Sequence, residues 1–365
     1  MSEWQTFCLK DLGKIVGGAT PPTNNPKNYG NKIAWITPKD LSTLQGRYIK
    51  KGSRSISRLG FKSCSCVLLP KHAILFSSRA PIGYVAIAKK RLCTNQGFKS
   101  IIPNKKIYFE FLYYLLKYHK DNISNIGGGT TFKEVSGATL GLFEVKIPPT
   151  YYEQQKISRT LSILDQKIEN NHKINELLHT LAYKVYEHYF KYKPKNAKLE
   201  QIIIENPKSN IMVKNAQKTQ DKYPFFTSGD NILSYPKSII DGRNCFLNTG
   251  GNAGIKFYVG KASYSTDTWC ICANEFSDYL YLLLSSIKNH INQSFFQGTS
   301  LKHLQKNLLK KYPIYMPSAH EIKKFNQIMM PLLTLISINT RTSKKLEQIR
   351  DFLLPLLLKQ QVKPE

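Results

Sequence analysis

An internal repeat, whose two copies lie 168 to 169 residues apart, divides this chain into similar halves. The segment Gly129-Thr130-Thr131-Phe132-Lys133 corresponds to Gly298-Thr299-Ser300-Leu301-Lys302, and Pro148 corresponds to Pro317. Repetition at a fixed separation indicates duplicated structural units, because each copy needs the same local interactions to fold. A length of 365 residues also exceeds what one typical domain requires. The sequence therefore predicts two related globular modules.

A long helical pattern follows each copy of the repeated motif. Its inward positions recur in alternating steps of four and three residues, which is the heptad spacing of helices that pack along a shared seam. Asn171 in the first pattern corresponds to Asn339 in the second, and a buried amide fixes the register of two helices at some cost in stability. The predicted seam residues are Ile157, Leu161, Leu164, Ile168, Asn171, Leu178, Met329, Leu332, Ile336, Asn339 and Leu346. We expect the two helices to pack against each other.

The second helical pattern contains two prolines, Pro331 and Pro355. Proline lacks a backbone N–H donor, and its ring clashes with the preceding helical turn. We therefore expect the second helix to kink or to end near these residues.

The order of these segments predicts an α+β fold with an internal pseudo-twofold repeat. The predicted order is a first globular module at 1–150, a helix at 151–196, a second globular module at 197–317 and a second helix at 318–365. Within the modules, short runs rich in β-branched and aromatic residues end in polar turns, as at 33–42 and 223–231. Such runs are typical of strands.

The net charge of +29 comes from 53 Lys and Arg residues against 24 Asp and Glu residues. An excess of this size indicates attraction to a polyanion, either nucleic acid or an anionic membrane surface. No apolar run reaches the about 18 residues of a transmembrane helix, and the first residues show no signal-peptide pattern. Seven cysteines without a secretion signal indicate reduced thiols. We therefore expect a cytoplasmic protein that binds nucleic acid and no membrane.

Polar, glycine-containing turns follow the predicted strands in both modules. Their residue types contact base edges in the major groove or the phosphate backbone, but the same types also cap turns, and both interpretations stay open. The candidate DNA-binding residues of the first module are Thr37, Lys39, Ser78, Arg79, Asn95, Gln96, Thr130, Thr131 and Lys133. Those of the second module are Thr227, Ser228, Asn248, Asn252, Thr299, Ser300 and Lys302.

No segment of the sequence predicts a catalytic, cofactor or metal site. Residues 148–151 are similar to part of the Asn/Asp-Pro-Pro-Tyr loop of amino-methyltransferases but lack the leading Asn or Asp. Residues 250–254 do not form a glycine-rich nucleotide motif between a strand and a helix. The two C-x-C pairs are not accompanied by the C-x₂-C and H-x₃-H spacing of a zinc site. We therefore expect a protein that is not an enzyme by itself.

Several segments carry a resemblance to one family. They are Leu9-Lys10-Asp11-Leu12-Gly13 with Gly18, Thr20 and Pro21; Ala34-Trp35-Ile36 to Asp40-Leu41; Ser78-Arg79-Ala80-Pro81-Ile82-Gly83; Asn95-Gln96-Gly97-Phe98; and Pro148-Pro149 to Glu153-Gln154-Gln155-Lys156-Ile157. In this order, followed by a long helix, they make the chain resemble the specificity (S) subunit of type I restriction–modification enzymes over nearly its whole length.

The resemblance implies two target-recognition domains separated by two long antiparallel coiled-coil helices. These helices would fix the gap between the half-sites of a bipartite, asymmetric double-stranded DNA target. They would also dock two methyltransferase (modification) subunits, which bind S-adenosylmethionine and methylate adenine, and restriction subunits would join that complex. The resemblance implies no catalysis and no cofactor in this chain itself.

Three other interpretations stay open at this point. The second module is shorter than the first, and its residues 199–210 match the family poorly. The first alternative is therefore the specificity subunit of a type II restriction–modification enzyme. A self-contained methyltransferase or nuclease would be active as an isolated chain. A coiled-coil scaffold that binds nucleic acid without sequence choice would bind unrelated duplexes equally, with only the salt dependence of phosphate contacts.

Overall fold

The computed structural model describes residues 3–129, 133–216 and 222–364. The candidates Thr130 and Thr131 therefore lie outside the described residues. Each predicted module contains small sheets and short helices, and a long helix follows each of them.

The first module places its candidate turns between the strands of two sheets. Its strands are β1 (Gln5–Cys8), β2 (Gly13–Gly17), β3 (Tyr29–Ile36), β4 (Tyr48–Ile49), β5 (Arg54–Ile56), β6 (Ile74–Ser78), β7 (Ile82–Ala88), β8 (Cys93–Thr94), β9 (Lys99–Pro103) and β10 (Glu144–Ile147). Its helices are α1 (Leu9–Leu12), α2 (Pro38–Ser42), α3 (Arg58–Lys62), α4 (Phe109–Asn125) and α5 (Gly137–Gly141), and the long helix α6 (Tyr151–Tyr186) follows. The sheets have the strand orders β2-β9-β6-β7-β4 and β5-β3-β8, and β1 pairs with β10.

The second module is built in the same way from fewer strands in its larger sheet. Its strands are β11 (Ala197–Lys198), β12 (Ile204–Glu205), β13 (Tyr223–Phe226), β14 (Ile232–Tyr235), β15 (Arg243–Asn248), β16 (Ile255–Val259), β17 (Ser263–Tyr264), β18 (Thr268–Cys272), β19 (Phe296–Gln297), β20 (His303–Leu304) and β21 (Pro313–Ile314). Its helices are α7 (Val213–Ala216), α8 (Ser277–Ser286), α9 (Lys288–Ser294) and α10 (Lys306–Lys310), and the long helix α11 (Ala319–Leu358) follows. The sheets have the orders β12-β18-β15-β16 and β14-β13-β17, while β11 pairs with β21 and β19 with β20.

The two modules share one topology. β6 lies between β9 and β7 in the first module, as β15 lies between β18 and β16 in the second. β3 pairs in parallel with β8, and β13 pairs in parallel with β17. Among the described residues, the larger sheet of the second module has four strands rather than five, without a counterpart of β4. The predicted α+β fold class with a repeated module is therefore confirmed.

The central strand of each module separates two cores. Ile74 and Phe76 of β6 pack with the residues of α4, whereas Leu75 packs with the cluster on the other face. In β15, Leu247 packs with the residues of α8 and Phe246 lies in a separate aromatic cluster. Successive side chains of a strand point to opposite faces of the sheet, so continuous apolar runs produce strands that are buried on both sides.

The chain divides into two compact units. The first comprises residues 1–170 and 343–365, and the second comprises residues 171–342. Each unit thus holds one module together with a part of α6 and a part of α11. The four-segment domain limits expected from the sequence stay a prediction.

In the second unit the parts of α6 and α11 run antiparallel, and in the first unit they are in contact. In the second unit, the Asn339 Nδ2 atom donates to Asn175 Oδ1 at 2.9 Å, and the ring centroids of Tyr189 and Phe325 are 6.1 Å apart. In the first unit, Arg350 Nη1 donates to Asp165 Oδ1 at 2.7 Å. In the second unit, the numbers of the residues in contact fall along α11 as they rise along α6 and its extension to Tyr189, which is the mark of antiparallel packing.

The predicted seam residues are all buried or half-buried. Ile157, Leu161, Ile168, Met329 and Ile336 are buried, and Leu164, Asn171, Leu178, Leu332, Asn339 and Leu346 are half-buried. Asn339 pairs with Asn175, so a polar layer does lie within the seam of the second unit. The helix α11 continues through Pro331 and ends three residues after Pro355, so it ends near the second proline and not near the first.

Candidate DNA interface

The candidate turns of the first module meet at one edge of its sheets. The Ser78 N–H donates to the Gly97 carbonyl oxygen at 2.8 Å, and the Val135 N–H donates to the Ser78 carbonyl oxygen at 3.0 Å. A Cβ atom added to Gly97 would lie 2.9 Å from the Pro38 side chain, so the turn after β3 lies beside them. We call the described residues of 37–40, 78–81, 95–97 and 127–135 the first loop edge.

Hydrogen bonds within the turns hold some first-module candidates. The Thr37 N–H and hydroxyl both donate to Asp40 Oδ2 at 2.8 Å. Burial raises the pKa of Asp40, but hydrogen bonds from Ser53 and Thr37 outweigh it and leave that pKa below its usual value. Asn95 Oδ1 accepts from the Gly97 N–H at 3.0 Å. Thr37 and Asn95 thus shape the first loop edge.

Other first-module candidates reach the surface. Lys39, Gln96 and Lys133 are exposed, and Gln96 accepts a hydrogen bond from the Thr20 hydroxyl. Arg79 is partly exposed and lies 3.5 Å from Glu134, which also pairs with Lys99 at 3.2 Å. Exposed pairs of this kind contribute little stability, so Arg79 can exchange its carboxylate for a phosphate at small cost.

Ser78 is a correction to the sequence-based list. Its side chain is completely buried, because Ser78 ends the central strand β6 and its backbone joins two neighbouring loops. The hydroxyl has no exposed surface with which to contact DNA in this conformation. Its place in the family segment Ser78–Gly83 reflects its position in the fold.

The candidate turns of the second module also meet at one edge. The Thr249 N–H donates to Ser228 Oγ at 3.2 Å, and the Thr249 hydroxyl donates to the Asp267 carbonyl oxygen at 2.8 Å. The Gly251 N–H donates to the Lys302 carbonyl oxygen at 2.9 Å. We call residues 227–231, 248–254, 265–268 and 298–304 the second loop edge.

The second-module candidates divide in the same way. Thr227 and Asn248 are buried: the Thr227 hydroxyl donates to the Asn231 carbonyl oxygen at 3.2 Å, and Asn248 accepts from Lys256 Nζ at 3.0 Å. These two residues shape the second loop edge and expose almost no side-chain surface. Their selection as DNA-binding candidates is therefore corrected, like that of Ser78. Ser228 is half-buried and donates to the Asp267 carbonyl oxygen. The exposed candidates are Asn252, Thr299, Ser300 and Lys302.

The repeated Gly-Thr motif begins with a similar backbone conformation in both modules. Gly129 has a φ of +117° and Gly298 a φ of +141°. L-amino acids with a side chain rarely adopt this region. At Gly298 an added Cβ atom would also lie only 2.3 Å from the Leu301 carbonyl oxygen. The glycine is therefore required by the turn, and the exposed Thr299, Ser300 and Lys302 follow it.

The sequence-based candidates omit a strongly basic surface of the first module. Residues 41–109 contain 14 Lys and Arg residues and no Asp or Glu. The Lys89 N–H donates to the Ile49 carbonyl oxygen and the His72 N–H donates to the Ala88 carbonyl oxygen, both at 2.9 Å, which brings three basic turns together. The exposed residues of these turns are Lys50, Lys51, Lys71, Lys89, Lys90 and Arg91, which we call the basic patch. A count of acidic residues along the chain would have revealed it.

Residues 3–129, 133–216 and 222–364 hold neither a metal-binding cluster nor a membrane-spanning helix. No group of three His, Cys, Asp or Glu residues is arranged to hold a metal ion there. No helix within those ranges is long and apolar enough to cross a membrane.

Comparisons with known proteins agree with this geometry. A model of the type I restriction modification DNA specificity domain matches residues 1–180 and 192–348. The type I restriction enzyme MjaIX specificity subunit of Methanocaldococcus jannaschii is 32% identical over 403 aligned positions, which cover 98% of this chain and 93% of that protein. The type I restriction enzyme HindI specificity subunit of Haemophilus influenzae is 30% identical over 177 positions, 46% of this chain and 37% of that protein.

A solved structure has the same fold. The crystal structure of the type I restriction–modification S subunit from M. genitalium has a TM-score of 0.65 and 17% identity, over 97% of this chain and 96% of that one. Two copies of a DNA specificity domain, each followed by a long helix, define a DNA-recognition component. This chain belongs to the family of type I restriction–modification specificity subunits.

Proposed function

We propose that this chain reads an asymmetric, bipartite double-stranded DNA target, with one half-site read by each module. The observation that carries the proposal is the pair of loop edges, which are formed by equivalent turns but expose different side chains. The first exposes Lys39, Gln96 and Lys133, and the second exposes Asn252 and Thr299–Lys302. Amide, hydroxyl and ammonium groups read base edges by hydrogen bonding, so different groups select different half-sites.

Phosphate contacts would supply most of the affinity. The basic patch carries six exposed cations, and the first module has no acidic residue between 41 and 109 to offset them. Lysine and arginine that neutralise phosphates release counterions and position a protein on DNA without reading its sequence.

The long helices are the proposed docking site for two methyltransferase subunits, with restriction subunits joining the complex. Ile174, Leu177 and Leu181 of α6 are 42%, 71% and 47% exposed, and they lie on successive turns of the helix. A row of large apolar side chains in solvent is typical of a protein-binding surface. In this proposal S-adenosylmethionine and catalysis belong to the methyltransferase subunits, and this chain supplies recognition alone.

The proposal is tested by selecting random duplexes with this chain co-expressed with its methyltransferase subunit, followed by sequencing. Two different short motifs at one fixed separation are the expected result. A single continuous motif would mean that only one module reads DNA. Tight, salt-sensitive binding without any enriched motif would contradict sequence recognition and favour a non-specific scaffold.

Replacing Lys89, Lys90 and Arg91 together by glutamine is expected to weaken DNA binding to all sequences alike. Each lost phosphate contact should reduce the slope of log affinity against log salt concentration by about 0.9. The measurement is the salt dependence of binding to a target duplex and to an unrelated duplex. The matched control replaces the exposed Lys344, Lys345 and Lys359 of the terminal segment by glutamine. An equal change in both variants would show that only net charge matters.

Replacing Leu177 by aspartate is expected to weaken methyltransferase-subunit binding by about 2 kcal/mol or more, since a charge would have to be buried at an apolar contact. DNA binding by the free chain should not change. Leu142→Asp is the control, because Leu142 is similarly exposed, at 60%, but lies in the first module. Isothermal titration with the purified methyltransferase subunit measures the difference, and unaltered affinity would place the docking surface elsewhere.

A further inference from the structure

A buried arginine joins the first module to α6. The Arg47 side chain is 5% exposed, and its Nη1 atom lies 3.2 Å from Glu110 Oε1 in the first turn of α4. Its Nε atom and its backbone N–H donate to Glu169 Oε1 of α6 at 3.2 and 2.9 Å. The preceding Gly46 has a φ of +120°, and a Cβ atom there would lie 3.1 Å from the Glu169 side chain. The loop is therefore shaped for close approach to the helix.

A half-buried arginine, with its side chain 17% exposed, joins the second module to α11. Arg243 Nε and Nη2 donate to the two carboxylate oxygens of Asp278 at 2.6 and 2.7 Å, and Asp278 lies in the first turn of α8. The Nη1 atom of Arg243 donates to Thr334 Oγ1 at 2.9 Å, and Nη2 donates to the Met330 carbonyl oxygen at 3.3 Å. Thr334 and Met330 belong to α11.

The two arrangements are equivalent although the arginines are not. Glu110 and Asp278 are 168 residues apart, which is the separation of the repeat along the long helices, and each begins the helix that packs on its module's sheet. Arg47 precedes β4, which has no counterpart among the described strands of the second module, whereas Arg243 begins β15. In both modules, an arginine therefore connects a carboxylate in the first turn of a helix to the long helix. The arginine itself comes from a different place in each module.

An arginine bridge to a buried carboxylate is better suited to fixing geometry than to adding stability. Desolvation cancels much of the attraction between buried charges, and apolar residues of similar volume would often stabilise the fold as well. The planar guanidinium fork, in contrast, holds its partners in one relative orientation. We infer that Arg47 and Arg243 are positioning residues that hold each module at a fixed orientation on the long helices and thereby determine which half-site separation the protein accepts.

This inference rests on the proposed bipartite reading, and it is tested by spacing rather than by affinity. The probe is a set of duplexes that carry both selected half-sites with spacers a few base pairs shorter or longer than the selected one. The variants are Arg243→Lys and Thr334→Val in the second unit, and Arg47→Lys and Glu169→Gln in the first. Thr334→Val and Glu169→Gln leave no unpaired buried charge on the long helix, so they keep the test valid if an arginine variant unfolds.

We expect the preference for the selected spacer to fall about tenfold, as loss of one charge-assisted hydrogen bond allows. Binding to a duplex with a single half-site should stay unchanged, which a general loss of structure would not permit. The controls are Arg58→Lys, an exposed arginine of the first module, and Thr180→Val, an exposed α6 threonine whose hydroxyl donates only within its helix.

The outcomes are separable. If the wild type is selective for its spacer and the variants keep the same selectivity, the positioning role alone is overturned. A wild-type protein that accepts every spacer would contradict the bipartite reading and the positioning role together. Reduced spacer selectivity in the controls as well would also overturn the assignment to these arginines.

Discussion

Replacing Asp165 by alanine is expected to lower the free energy of unfolding by about 3–5 kcal/mol, because it removes one partner of a buried ion pair. The Asp165 side chain is 6% exposed. It accepts from Arg350 Nη1 at 2.7 Å and from the Tyr114 hydroxyl at 2.6 Å, and it lies 3.9 Å from Arg47 Nε. Without this carboxylate, the buried Tyr114 hydroxyl loses its acceptor, and the half-buried Arg350 guanidinium keeps its contact with the exposed Asp351. Urea unfolding of the free chain measures the loss.

Asp351→Ala is the matched control for Asp165→Ala. Asp351 contacts the same arginine, with Arg350 Nη2 at 2.8 Å from its Oδ1, but its side chain is 59% exposed. Water and salt screen such a pair, so its loss should cost about 1 kcal/mol or less. Equal losses in the two variants would mean that burial does not control the strength of these pairs.

Replacing Phe190 by alanine is the second large effect, with an expected loss of about 3–5 kcal/mol. Phe190 is 1% exposed and lies in the short helical segment Glu187–Lys191, which follows α6 directly. Its ring centroid lies 5.0 Å from that of Phe325 and 5.2 Å from that of Tyr279, so one side chain links the end of α6 with α11 and α8 inside the second unit. Removal of the ring leaves a cavity that three rigid elements cannot collapse to fill.

Tyr192→Ala is the control, because it removes an aromatic ring two residues away that is 81% exposed. A surface substitution of this kind should stay within about 0.5 kcal/mol of the wild type. Thermal unfolding of both variants checks the difference. A small loss at Phe190 would show that the aromatic cluster repacks, and the second unit would then be more plastic than its geometry indicates.

Local periodicity explains why the long helices and the repeat were predictable. Seam residues such as Leu161 and Met329 recur with a spacing that only a helix brings to one face, so the pattern alone determines the element and its buried side. The family segments in turn identified two DNA specificity domains, which the matches at 1–180 and 192–348 bear out.

The equivalence of the two module openings required the tertiary structure. Residues 199–210 match the family poorly, yet the Leu199 N–H donates to the Tyr312 carbonyl oxygen at 2.9 Å just as the Leu9 N–H donates to that of Phe143 at 3.0 Å. Phe143 and Tyr312 are 169 residues apart, the separation of the repeat in this part of the chain. Backbone hydrogen bonds make this contact, and they place few demands on the side chains of the opening segment.

The sequence by itself determined that this chain has two related modules, two long helices with matched polar layers, a strongly basic character and the segments of a DNA specificity family. Only the tertiary structure decided which polar turn residues reach solvent. Thr227 and Asn248 are buried while Asn252 and Thr299 are exposed, although all four belong to similar polar turns. It also decided the partners of Arg47 and Arg243, because Glu169 and Thr334 are 122 and 91 residues away along the chain. Periodicity reports contacts within one helix or strand, whereas burial and ion pairing depend on segments that meet only when the chain has folded.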